Sequence, residues 1–171
     1  MATHRVIDAD VRLIANGTYA PAPSYTHSLG RDPNLPSFIR SIQFSWGYGA
    51  ARGPTLAEIK PTKLDRMTAL EQVVLENCAE HGLRLVWPIL RQASGSNLTR
   101  LAIKYAGPEV DFQEDVLFGG LENLKELYLH LRRMNSQARA DRTHEKYLPR
   151  LEVFHIGCLE PGLYATITRQ A

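Results

Sequence analysis

Tyr128, His130, His155 and, upstream of them, Tyr105 are the side chains whose chemistry is worth weighing first. Two imidazoles with a carboxylate (Glu126) and a thiol (Cys158) nearby in sequence are the raw material of a zinc centre, and an imidazole beside a phenol can relay protons. The spacing speaks against both. No pair sits at the short interval of a metal-ligand motif, and nothing ties a base to a nucleophile. The chain contains no Gly-x-Ser-x-Gly elbow, no His-Glu-x-x-His, no Cys-x-x-Cys and no dinucleotide fingerprint. The expectation is no catalytic residue, no metal and no cofactor. Aromatic side chains are enriched in binding hot spots, so the four residues read as part of a contact surface for a partner.

What must position them is a recurring nonamer. Leu70-Glu71-Gln72-Val73-Val74-Leu75-Glu76-Asn77-Cys78 places apolar residues at its first, fourth and sixth positions and a thiol at its ninth. The same frame fits Ile39–Gly47, Leu98–Ala106, Leu124–Arg132 and Leu151–Leu159. First positions fall at 39, 70, 98, 124 and 151, giving intervals of 31, 28, 26 and 27 residues. A steady interval of that size marks a solenoid whose units each contribute a strand and a helix-like return. Positions one, four and six then point into the core, and three, five and seven onto the opposite face.

That alternation sorts the polar residues into rows. Position three gives Ser41, Gln72, Arg100, Glu126 and Val153; position five gives Gln43, Val74, Ala102, Tyr128 and His155; position seven gives Ser45, Glu76, Lys104, His130 and Gly157. Row neighbours lie one strand spacing apart, which sets Glu76 against Lys104 and Arg100 against Glu126. Such alternation describes a self-satisfied surface, and it excludes a purely basic groove for nucleic acid. The candidate binding residues on this face are Trp46, Glu76, Arg100, Lys104, Tyr105, Glu126, Tyr128, His130 and His155, with Trp46 at position eight on its rim.

Between the nonamers, Leu83–Ala93 has helical apolar spacing, and Pro88 is expected in its first turn, where a missing N–H costs little. Ser94–Asn97 closes that helix. Pro61 forbids a single helix over Thr55–Met67, although Leu56, Ile59, Leu64 and Met67 can still face the sheet. Asp111–Phe118 is expected to be a short helix ended by Gly119-Gly120, and the highly charged Met134–Tyr147 a solvated one. Residues 1–37 read as an irregular N-terminal cap or degenerate repeat, although Val6–Ile14 can be laid on the frame as a first strand. Residues 38–171 then form the repeat array within a single domain, in which residues 160–171 are too short for a further full repeat.

With 171 residues the chain is long enough to bury about 70% of its unfolded surface. Its 20 Lys+Arg against 18 Asp+Glu create no strong field toward nucleic acid or membrane. The amino terminus lacks the apolar core of a secretory signal and no apolar run reaches membrane-spanning length, so a cytoplasmic or nuclear location is expected. The two cysteines fit a reducing compartment: Cys78 and Cys158 fall on strands three apart, roughly 14 Å at about 4.8 Å per strand, too far for a disulfide.

Over roughly residues 39–159 the frame resembles the leucine-rich repeats, in the long-repeat form that carries Cys or Asn at the ninth position, where the Leu70–Cys78 nonamer has Cys78. Phrases such as Pro36–Phe44, Gly120–Leu129 and Leu148–Phe154 are similar to the repeat regions of fungal F-box proteins. That resemblance implies an α/β fold: a short leucine-rich-repeat-like solenoid with a concave parallel sheet of about five strands, and helices and loops on the convex side. It further implies a non-catalytic protein-interaction module of the kind that forms the substrate-recognition part of an F-box-type ubiquitin-ligase receptor. The chain departs from the pattern in residues 1–37, which hold no recognisable Leu-Pro-led F-box, so the resemblance puts contact with the ligase adaptor in doubt. The rival of a different class is a small enzyme or small-molecule binder with a pocket near Tyr128, His130 and His155.

Overall fold

The structure is a computed structural model, and it describes residues 8–13, 31–46, 59–78, 80–105, 117–131, 148–158 and 164–168. Each nonamer builds a strand: β2 (Ser41–Trp46), β3 (Gln72–Cys78), β4 (Arg100–Tyr105), β5 (Glu126–Leu131) and β6 (Val153–Cys158). Before them comes β1 (Asp8–Leu13) and after them β7 (Tyr164–Thr168). The seven form one sheet in sequence order, parallel from β1 to β6. Parallel neighbours need a long return on one side of the sheet, and the intervals of 26 to 31 residues between nonamers supply it.

The register follows the rows. Ser41, Gln72, Arg100, Glu126 and Val153 are successive partners; so are Gln43, Val74, Ala102, Tyr128 and His155. Strand β1 joins in step, with Ala9 beside Ile42 and Val11 beside Phe44, as the frame on Val6–Ile14 requires. The described sheet thus has six parallel strands, one more than the five nonamers. Positions one, four and six of β2 to β5 fill the core: Ile39, Ile42 and Phe44, then Leu70, Val73 and Leu75, then Leu98, Leu101 and Ile103, then Leu124, Leu127 and Leu129 are all buried. Each fully buried side chain of this size contributes roughly 1.5–3 kcal/mol.

Two backbone devices recur from unit to unit. Ile39, Leu98, Leu124 and Leu151, each at position one, donate N–H to the carbonyl three residues earlier, of Pro36, Gly95, Leu121 and Leu148. This tight turn aims the chain into its strand. Then the carbonyl at position two accepts from both the second and third residues of the following unit. Arg40 O takes the N–H groups of Glu71 and Gln72, Glu71 O those of Thr99 and Arg100, Thr99 O those of Lys125 and Glu126, and Lys125 O those of Glu152 and Val153.

Helix α1 (Glu80–Ser94) covers the core side between β3 and β4. Its Leu83, Val86, Trp87 and Leu90 recur at the spacing of one helical face and are buried, while Arg84 and Gln92 are exposed. Pro88 lies in the interior of this helix, not in its first turn, because the helix begins at Glu80 rather than at Leu83. Its ring contributes no N–H to the ladder there. Gly95–Asn97 closes the helix as a tight turn. Around Pro61 the return is two short turns, Lys60–Thr62 and Leu64–Arg66, joined at Lys63 with φ 55°. Ile59, Leu64 and Met67 are buried as their spacing predicts. Gly120 adopts φ +81°, a conformation that favours glycine, and so turns the chain after Phe118. Leu56, most of Asp111–Phe118 and all of Met134–Tyr147 lie outside the described residues.

The carboxyl-terminal stretch, too short for another unit, nevertheless adds a strand. β7 pairs antiparallel with β6, setting Thr166 opposite His155 and Tyr164 opposite Gly157. Only residues 159–163 join the two strands, and a parallel crossover needs a dozen or more.

Candidate interaction surface

Positions three, five and seven of β3 to β6 bring eight polar residues together on the sheet face opposite α1. Across β3 and β4, Lys104 Nζ bonds Glu76 Oε1. Gln43 Nε2, from β2, donates to the other carboxylate oxygen at 2.8 Å. These partners hold the Glu76 carboxyl below its usual range, the bond from Lys104 contributing most and outweighing the effect of partial burial. Across β4 and β5, Arg100 Nε lies 3.3 Å from Glu126 Oε2, and the Tyr128 hydroxyl donates to the same oxygen at 3.3 Å. Both ion pairs anticipated from the rows are present. At this exposure each is worth about 0.2–1 kcal/mol.

Arg100 also stands over the Tyr128 ring, 5.2 Å from guanidinium carbon to ring centroid. Such a contact adds about 0.5–1 kcal/mol at an exposed site. The Tyr128 ring in turn lies 6.0 Å from that of His155, tilted by 33°. His155 and His130 are stacked, 5.2 Å between centroids and 21° between planes. A continuous surface results, running Arg100, Tyr128, His155, His130, with Glu126 beneath its first two members. Lys104 borders it, as the register partner of His130. The His130 imidazole titrates below its ordinary value, chiefly because burial disfavours the cation, then because His155 and Lys104 stand nearby.

Of the nine candidate residues, seven therefore share one connected surface: Glu76, Arg100, Lys104, Glu126, Tyr128, His130 and His155. The side chains of Trp46 and Tyr105 lie outside the described ones, although their strands are in place. Sequence reasoning passed over two participants. Gln43 belongs to the position-five row and was readable there as a long amide within reach of Glu76. Gly157 gives the space beneath His130, a role invisible without the ring above it. A second band was also missed. Arg40 pairs with Glu71 at 3.1 Å and Lys125 with Glu152 at 3.2 Å, all at position two along the strand-entering edge.

Among the described residues, no group of three or more His, Cys, Asp or Glu is placed to hold a metal ion. Among them, no helix is long and apolar enough to cross a membrane. No family model, curated protein or solved structure matches the chain.

Proposed function

We propose that the chain is a leucine-rich-repeat-like solenoid and acts as a non-catalytic protein-interaction module, in the manner of the target-recognising repeats of F-box proteins. The returning position-two carbonyls and lead-in turns support the solenoid, since each unit repeats the contacts of the one before. The observation that carries the function is the connected aromatic, imidazole and guanidinium surface from Arg100 to His130. It joins residues rich in hot-spot chemistry over three adjacent strands, and its shape is that of a face rather than a nucleophile with its base. An adaptor contact of the F-box kind is not part of this reading.

The test is partner capture from a cell extract with the wild-type chain and with a Tyr128→Ala/His155→Ala double substitution, both checked for folding by circular dichroism. Partners lost only from the variant place function on this face. Identical partner lists for the two chains sink the reading, and a small molecule carried through purification by the wild type alone would replace it with the pocket alternative.

A further inference from the structure

Among the described residues the sheet has two edges, β1 and β7, and they differ in kind. β1 carries Asp8, Asp10 and Arg12, a charge at every second position, and charge is one of the devices that keep a natural edge strand from pairing with another chain. β7 reads Tyr164-Ala165-Thr166-Ile167-Thr168, with no charge, no proline and no glycine. In an antiparallel ladder alternate residues turn N–H and C=O to the neighbour and the others turn theirs away. Pairing with β6 therefore leaves two or three of the five residues of β7 with backbone groups directed outward. Ala165 and Ile167 are in register with Ile156 and Phe154, at core positions six and four of the last nonamer, and Thr166 with His155 at position five.

We propose that β7 pairs antiparallel with β7 of a second copy of this chain, about a two-fold axis through Thr166 and perpendicular to the sheet. Tyr164 then stands opposite Thr168, Ala165 opposite Ile167, and Thr166 opposite Thr166, so all five residues are paired. A slip of one residue would set the core face of one copy on the polar side of the other, and a slip of two would leave three residues paired. Threonine opposite threonine and aromatic opposite β-branched are favourable cross-strand pairs. The strand is thus complementary to itself in the register that keeps both cores on one side. Because the contact uses the same uncharged strand twice, it closes at two chains, whereas a β1-to-β7 contact would propagate head to tail. The pairing does not rest on the reading of the polar face, but it bears on it. Both surfaces from Arg100 to His130 come to the same side of one joined sheet, with β6 of the two copies three strand spacings apart, about 14 Å.

The test is the mass of the full chain in solution, read by sedimentation equilibrium. A five-residue edge is a small contact of the weak, transient class, so the series runs from about 1 µM to about 1 mM. The expected result is a rise from the mass of one chain to that of two and no further. Thr166→Lys and Thr166→Glu each set like charges in register at the axis, and each alone should weaken association about tenfold or more. An equimolar mixture of the two should restore it, and Asp10→Asn on β1 should leave it unchanged. A single-chain mass throughout overturns the proposal, as does a mass that climbs past two chains. Association that survives both Thr166 substitutions, or a mixture no better than either alone, overturns the register. Should the Thr166 variants fail to fold, amide exchange of the wild type decides. Amides of β7 should exchange more slowly at high concentration while those of β4 stay unchanged, and equal β7 rates at both concentrations overturn the pairing.

Discussion

The imidazole of His130 lies over Gly157, its register partner on β6, so closely that a Cβ built there would meet Nδ1 at 3.1 Å and Cε1 at 3.2 Å. Gly157 is not in the left-handed region, so the glycine is required here for space rather than for backbone freedom. Gly157→Ala should push His130 off its stack on His155, at a cost of about 1 kcal/mol in denaturant unfolding. In a His130→Ala background the same change should be near neutral. An equal cost in both backgrounds would show that the imidazole is not what the alanine meets.

Stability should fall on mild acidification. The folded His130 titrates below the ordinary imidazole value of 6.5, so the unfolded chain binds more protons between the folded midpoint and 6.5. The stabilisation from keeping this imidazole neutral is therefore full above 6.5 and is lost as pH drops through the folded value. His130→Gln should flatten the dependence of the unfolding midpoint over that window; a slope unchanged by the substitution would assign it to other groups.

Removing the Lys104 ammonium should release Glu76. Lys104→Ala is expected to return the Glu76 carboxyl toward 4.5, to cost under about 1 kcal/mol, and to do so less at high salt. Because Glu76 is held low in the fold, its contribution is present above 4.5 and is lost as pH falls through the folded value. Carboxyl-carbon NMR titration of the two chains reads this directly, and a Glu76 midpoint that stays put in Lys104→Ala would give the credit to Gln43.

One buried bond couples neighbouring units: the Trp87 indole N–H, from α1, donates to the Leu117 carbonyl at 2.9 Å. Trp87→Phe keeps much of the apolar volume but leaves that carbonyl without its donor, for an expected loss of about 1–3 kcal/mol. Asn123→Ala, which deletes the bonds to Ser96 O and from Arg150, should cost less because both are exposed. Thermal unfolding of the two variants ranks them, and a larger loss for Asn123→Ala would reverse the argument.

The strands and their register were readable because both follow from one period. Once Leu70, Val73 and Leu75 are superposed on Leu98, Leu101 and Ile103, the odd positions fall into rows and the Glu76–Lys104 and Arg100–Glu126 pairs follow. Contacts lying off that frame were not readable. The proline at 88 was placed by its distance from Leu83, but Glu80, His81 and Gly82 also enter the helix, where no apolar period announces them. β7 was missed because Tyr164–Thr168 repeats no nonamer and is recruited by a short connection to β6. The grouping of Tyr128, His130 and His155 was readable from the rows, but the stacking of the two imidazoles was not, because it crosses from row five to row seven and depends on the space left at Gly157.

The sheet's order has a mechanical consequence. Each described strand bonds only to its neighbours in sequence, so the hydrogen bonds run end to end along the stacking direction. A force drawing β1 and β7 apart along that direction would load a single interface at a time and peel the strands in succession. The same force applied along the strands would load a whole ladder together. Pulled by its ends, such a sheet behaves as a soft extensible spring rather than as a clamp.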